Sequence, residues 1–414
     1  MEEWKKYKLR DLISYMSKGI VPVYTERKQD SVLVLNQKCN RDFKIDVSAA
    51  RFHDSTLKKV PNNKVLKVGD ILINSTGTGT AGRVAQVEYL ENSMTVDGHM
   101  IILRNNEKIT PIYLGYAIKQ KQAMIEELAE GSTGQTEINK TRLLDEILIR
   151  FPVCHKEQNM IALILKNLDD KIALNKRIND NLEQQALAIY RSWFVDFEPF
   201  KGGKFIDSEL GEIPEGWGVG RLSDVGRIVG GSTPSKSHSE YYTTNGIPWL
   251  TPKDLSMTQA KFTSRGEIDI TEIGYKSCST KLLPRGSVLF SSRAPIGYIS
   301  IALNEICTNQ GFKSIVPNRE IGTAFIFYYL KANTSKIESQ ASGSTFKEAS
   351  GTLINSLSII RPPLKVIHNF NEIMIPIFFQ QEKNEGENEK LSKLRDTLLP
   401  KLMSGKLKIT DLNS

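Results

Sequence analysis

No stretch of this sequence approaches the ~20 consecutive apolar residues that a membrane-spanning helix needs. The first residues, Met1-Glu2-Glu3-Trp4-Lys5-Lys6, lack the apolar core of a secretory signal. Cysteine is scarce: four residues, at positions 39, 154, 278 and 307, form no Cys-x-x-Cys pair and have no histidine at ligand spacing. Neither a disulfide framework nor a structural metal is expected, and a reducing cytoplasm fits best. Also missing are a Walker lysine loop, a His-Glu-x-x-His pair and an Asn/Asp-Pro-Pro-aromatic motif; Pro362-Pro363 follows Arg361. Without them no nucleotide-hydrolysing, zinc-hydrolase or adenine-methyltransferase site is expected, and no residue is assigned a catalytic role.

What the sequence does contain is a second copy of itself. Trp4, Leu9 and Asp11 recur 213 residues later as Trp217, Leu222 and Asp224. Gly131-Ser132-Thr133 returns after 212 residues as Gly343-Ser344-Thr345, and Asn175, Asn179 and Leu182 return after 209 as Asn384, Asn388 and Leu391. A period this long means two copies of a whole module, not a solenoid unit. The 414 residues are enough for such modules to have cores of their own.

Each copy reads as a strand-rich globular part followed by a long helix. Short apolar runs bounded by Gly and Ser, such as 68–74 and 286–291, have the character of strands. One helix per globular part is expected, near 111–130 and 321–340. From Glu157 to Phe194 a heptad seam runs through Ile161, Leu165, Leu168, Ile172, Asn175, Asn179, Leu182, Ala186, Ile189 and Trp193. The distal counterpart runs through Phe370, Met374, Ile377, Gln381, Asn384, Asn388, Leu391, Arg395, Leu398 and Leu402. If the helices pair antiparallel, the asparagine layers meet in the middle and fix register, because a slip leaves their amides unpaired. The alternative is two amphipathic helices, each packed on its own domain. Pro376 argues against one smooth distal helix and favours a start near that proline. Gly405 is expected as the residue that ends it. The Pro- and Gly-rich stretch between the copies reads as linker and turn.

Net charge is +8 over the chain. It divides as +4 in 1–152, −1 in 153–200, +4 in 201–364 and +1 in 365–414, so the globular parts carry the excess. Basic charge concentrated in this way suits a polyanionic partner, although ordinary solvated charge is the plainer reading. Gly77-Thr78-Gly79-Thr80-Ala81-Gly82 has the literal form of a dinucleotide fingerprint, with Asp97 following. That function needs a helix starting at the third glycine, and residues 83–88 alternate like a strand. The repeat partner, Ser292-Arg293-Ala294-Pro295-Ile296-Gly297, lacks the pattern. A hairpin loop that brings backbone and Arg83 or Arg293 to DNA fits both copies; a purely structural hairpin is the alternative.

The candidate DNA-binding residues come from loops at matched positions. In the first copy they are Lys38, Ser75, Thr76, Thr78, Arg83, His99, Ser132, Thr133 and Gln135. In the second they are Lys236, Lys253, Ser292, Arg293, Gln310, Lys313, Ser344, Thr345 and Lys347. Hydroxyls, lysines and backbone amides position a protein on phosphates, and Gln, Asn, Arg and Lys can read base edges. His99 is equally suited to a structural role. Framework residues match between copies while most polar loop residues differ, as two readers of different sequences would. Asn175, Asn179, Asn384 and Asn388 are the candidate register residues.

Several stretches resemble the specificity subunit of type I restriction–modification systems: Trp193-Phe194-Val195-Asp196-Phe197-Glu198-Pro199, Gly211-Glu212-Ile213-Pro214-Glu215-Gly216-Trp217, and Leu398-Leu399-Pro400-Lys401-Leu402-Met403-Ser404-Gly405. The first copy lacks the Ile-Pro-Glu-Gly lead before its tryptophan. The resemblance implies two mixed α/β, strand-rich target-recognition domains separated by two long helices that form an antiparallel coiled coil, in a pseudo-two-fold internal repeat. The implied boundaries are 1–152 and 217–363 for the recognition domains, 153–198 and 364–408 for the conserved helical regions, and 199–216 for the linker. The implied partners are double-stranded DNA, two modification (methyltransferase) subunits and, in the complete system, two restriction subunits. Cofactors are implied only for those partners, S-adenosylmethionine on the modification subunit and ATP with Mg on the restriction subunit. On this reading the helices act as a ruler: a seam of about 33 residues at ~1.5 Å each spans roughly 50 Å. The rival is a self-contained DNA-modifying enzyme such as an adenine methyltransferase, for which a catalytic motif is missing.

Overall fold

In the computed structural model, which describes residues 3–90, 92–131, 136–258, 260–343 and 347–409, the run Ile71–Asn74 forms a strand buried on both faces. Its alternation divides the core. Ile71 and Ile73, with Ile101 and Leu103, face one apolar cluster, whereas Leu72, with Met100 and Ile102, faces another. A strand covered on both sides has no reason to alternate polar and apolar residues, so the sequence there is nearly continuous in hydrophobics.

The chain divides into two compact units, Met1–Ile172 with Lys390–Ser414, and Ala173–Glu389. The boundary falls inside both long helices, His155–Phe194 and Leu364–Met403. In the first unit one sheet has the strand order Ile13–Lys18, Met100–Asn105, Ile71–Asn74, Val84–Gln86. A second has the order Met94–Val96, Ser31–Leu35, Arg51–Asp54, Tyr24–Thr25, with its first pair parallel. Trp4–Lys8 pairs antiparallel with Leu148–Pro152 and closes the domain ahead of the helix. Helix Pro111–Gln120 starts with proline in its first turn, where the missing N–H costs nothing, and buries Tyr113, Leu114 and Ala117.

The second unit repeats this plan. Gly226–Gly230, Lys313–Pro317, Val288–Ser292 and Ile296–Ala302 follow one another in the same order, with Phe262–Thr263 added at the edge. Cys307–Thr308, Ile247–Leu250, Asp269–Ile270 and Tyr242–Thr243 form the second sheet, again with a parallel first pair. Gly218–Arg221 pairs with Ser358–Arg361, as Trp4–Lys8 does with Leu148–Pro152. The stretch read as a linker carries a hairpin, Phe205–Ser208 with Gly211–Pro214. Trp217 packs on Phe194, Phe197 and Phe200, with ring centroids 6.0, 5.5 and 4.9 Å away. The aromatic run after the central helix therefore seats the helix end on the domain that follows.

Within each unit the two helices run antiparallel side by side. In the first unit Asp169 accepts from Arg395 Nη1 at 2.7 Å, while Ile161, Leu165, Leu399 and Leu402 share one core. In the second, Asn175 Nδ2 donates to Asn388 Oδ1 at 3.0 Å and to Glu387 Oε2 at 2.8 Å. Asn384 Nδ2 donates to Asn179 Oδ1 at 2.8 Å, and Asn179 Nδ2 to the Gln381 carbonyl at 3.1 Å. The expected start of the distal helix near Pro376 is corrected: the helix begins at Leu364 and runs through Pro376 to Met403. The proline removes one backbone bond, but Phe370, Met374, Gln381 and Asn384, buried on either side of it, hold the helix together. The chain leaves the helix through Gly405, whose φ of +70° suits glycine.

Each domain also clamps a carboxylate of the central helix with a Tyr-x-x-Lys pair. Tyr116 and Lys119 hold Asp169 at 2.9 and 3.1 Å. Tyr328 and Lys331 hold Glu183 at 3.0 and 2.5 Å, and Lys261 joins them at 2.7 Å. Burial alone would raise both carboxyls, but the cations override it. Lys119 and Arg395 keep Asp169 below its ordinary value, and Lys261 and Lys331 hold Glu183 at about 2. Burial still draws the Lys261 ammonium down to about 8 against the pull of Glu183.

Candidate nucleic-acid interface

The matched loops meet at one rim in each domain, joined there by the same backbone bonds. In the first, Ile20 N–H donates to the Val96 carbonyl, Ser75 N–H to His99 and Ile138 N–H to Ser75, at 2.9, 2.8 and 2.7 Å. In the second, Ser232 donates to Thr308, Ser292 to Gly311 and Ala349 to Ser292, at 2.9, 2.8 and 2.9 Å. A framework satisfied by main-chain bonds leaves its side chains free to vary.

Those side chains differ. On the first rim the Thr76 hydroxyl lies 2.9 Å from His99 Nδ1 and accepts from Gln37 Nε2 at 2.6 Å. The His99 N–H donates to Asp97 Oδ1 at 2.9 Å, and burial raises the Asp97 carboxyl despite that bond. Lys38, Thr78 and His99 are exposed. Half-buried Arg83 folds back, Nη2 donating to the Gly79 carbonyl at 2.9 Å. On the second rim Thr233 donates to Gln310, while Arg293 and Lys313 face Glu348 at 3.5 and 3.3 Å. Lys236 and Lys347 are exposed, and Lys253 lies 3.1 Å from Glu267.

Two candidates leave the interface. Ser75 and Ser292 are fully buried, and Ser292 Oγ donates to the Gly311 carbonyl at 3.2 Å. Both sit in the strand end that carries the rim, where their backbone, not their hydroxyl, is used. Ser132, Thr133, Gln135, Ser344 and Thr345 lie outside the described residues. Sequence reasoning missed Gln37 and Thr233, neighbours of named positions, and Glu137 and Glu348. Each of these glutamates closely follows a Gly-Ser-Thr segment, so the repeat itself was the signal for them.

The glycine-rich loop is not a phosphate cradle. After Gly82 the chain enters the strand Val84–Gln86, so no helix starts at the third glycine to offer its N-terminal amides. Gly82 has φ +87°, and a Cβ there would come within 2.6 Å of the Glu126 backbone, so the third glycine serves a tight turn against a neighbouring segment. Among the described residues no group of three or more His, Cys, Asp or Glu could hold a metal ion, and no helix is long and apolar enough to cross a membrane.

A family model described as the type I restriction modification DNA specificity domain matches residues 1–184 and again 214–394. The HindI specificity subunit of Haemophilus influenzae is 27% identical, over 98% of this chain and 100% of that protein. The MjaIX specificity subunit of Methanocaldococcus jannaschii is 36% identical over 46% of this chain and 44% of its own length. The crystal structure of a type I restriction–modification S subunit from M. genitalium has the same fold, with a TM-score of 0.60 at 17% identity, covering 97% of this chain and 96% of that one.

Proposed function

This chain belongs to the type I restriction–modification DNA specificity family, and from that premise we propose that its two rims are the surfaces that read the two halves of a split target in double-stranded DNA. The chain is a specificity subunit, a recognition component without catalysis of its own. The carrying observation is the pair of rims: equivalent backbone bonds support Gln37, Thr76 and His99 on one and Thr233, Gln310, Arg293 and Lys313 on the other. A common frame with unlike polar groups is what reading two unlike half-sites requires.

The exposed lysines Lys38, Lys236 and Lys347 contact phosphates, and the amides and His99 face base edges. The helix pair sets the spacer between half-sites and carries two modification subunits, which bind S-adenosylmethionine and methylate adenine. Restriction subunits using ATP and Mg complete the assembly, and the setting is the cytoplasm. The test is genome-wide adenine-methylation mapping in a host carrying this chain with its cognate modification subunit. A bipartite target is expected, and replacing residues 217–363 with those of a relative should change one half only. A contiguous target, or changes in both halves, overturns the reading. Methylation of DNA by the purified chain alone would show it to be an enzyme.

A further inference from the structure

Each rim carries a glutamate where a polyanion is expected to bind. Glu137 follows the first Gly-Ser-Thr segment; its backbone bridges to Thr76, and Oε1 lies 2.6 Å from Lys18 Nζ. Glu348 follows the second; its backbone bridges to Arg293, and its carboxylate faces Lys313 Nζ at 3.3 Å and Arg293 Nη1 at 3.5 Å. The lysines come from opposite sides of one rung. Lys18 pairs across its ladder with Ile101, and in the equivalent ladder Gly230 pairs with Lys313. The ion pair is thus present in both domains although different strands supply its cation. Glu137 is exposed and the other partners are half-buried, and pairs that stay open to solvent in this way contribute little to stability, about 0–1 kcal/mol, so stability is a poor reason for both domains to have one. A carboxylate beside phosphates also weakens general attraction to DNA.

We propose that Glu137 and Glu348 are specificity-determining residues that hold the rim cations away from the phosphates of non-cognate DNA. On the correct half-site an exocyclic amino group of a base, such as cytosine N4, donates to the carboxylate, and Lys18, or Lys313 with Arg293, turns to phosphate. On other sequences no amino group replaces the cation, and the pair stays closed. The inference rests on the DNA-reading function proposed above.

The test uses the full chain assembled with its modification subunits and compares target with scrambled duplex across a salt series. In E137Q and E348Q the cations are released on any sequence. Affinity for scrambled DNA should rise several-fold, with the slope of log affinity against log salt steeper by about 1 for E137Q and about 2 for E348Q. Target affinity should fall, so that discrimination shrinks at least ~10-fold. Methylation mapping should show relaxed bases in the first half-site for E137Q and in the second for E348Q. Unchanged discrimination and slope, or a loss of thermal stability with discrimination intact, makes the glutamates plain surface pairs and overturns the proposal while leaving DNA reading in place. If the unsubstituted assembly fails to prefer target over scrambled DNA, the functional reading falls and this inference with it.

Discussion

Replacing Glu183 by glutamine should destabilise the second unit by about 3 kcal/mol at neutral pH. The carboxylate accepts from Lys261, Lys331, Tyr328 and Gln381 at 2.7, 2.5, 3.0 and 3.2 Å. Two ammonium groups hold it at about 2 where 4.5 is ordinary, and ~1.4 kcal/mol per pH unit converts that difference to about 3 kcal/mol. The amide keeps shape and some hydrogen bonds but leaves Lys261 buried over Phe378, 3.9 Å from its ring centroid, without its closest counter-charge. Removing one partner of a buried pair typically costs about 3–5 kcal/mol. Trp193, Trp217 and Trp249 all lie in this unit, so tryptophan fluorescence in a thermal melt reports chiefly on it. The midpoint should drop by about 6–12 °C. Because folding lowers the carboxyl pKa, its contribution is complete above the ordinary value and disappears as pH falls through the folded one. The gap between the native chain and E183Q should therefore fall below half by about pH 3. A gap under ~0.5 kcal/mol at pH 7, or one unchanged at pH 3, would refute the argument. The double variant E183L/K261M should recover to within about 1 kcal/mol, because apolar replacement of both partners removes the desolvation cost as well.

Trp217→Ala should cost about 3–5 kcal/mol by emptying the site between Phe194, Phe197 and Phe200; an unchanged chemical-denaturation midpoint refutes this. The double variant N175L/N384L should keep or raise stability, since Asn175 Oδ1 is buried without a partner, while loosening register. Methylation at one spacer length only, from a single well-ordered state, counts against that expectation. Inserting four residues into each helix should lengthen the ruler by about 6 Å, close to two base pairs of spacer. An unchanged spacer in methylation mapping rejects the ruler.

The repeat, the strand-rich domains and the helix seam were legible because each leaves a periodic mark on the sequence. So were the rim loops, since Thr76, His99 and Gln310 stand beside glycines that interrupt strand patterns. The course of the helix through Pro376 was hidden, because local preference opposes it and only buried neighbours such as Phe370, Met374 and Gln381 outweigh it. Ser75 and Ser292 looked like loop hydroxyls, yet one strand position decides between solvent and core. The Tyr-x-x-Lys clamps were also invisible, although both motifs are in the text. Their carboxylates lie 50 residues away for Lys119 and 148 away for Lys331.

By itself, then, the sequence determined what is written in local period and copy number: two alike domains, two long helices and asparagines in their seams. Tertiary structure alone decided which charges meet. Asp169 is shared by Lys119 and Arg395, Glu183 by Lys261 and Lys331, and each rim glutamate faces a lysine supplied from a different strand. Charge pairing depends on distance in space, and a sequence records separation only along the chain.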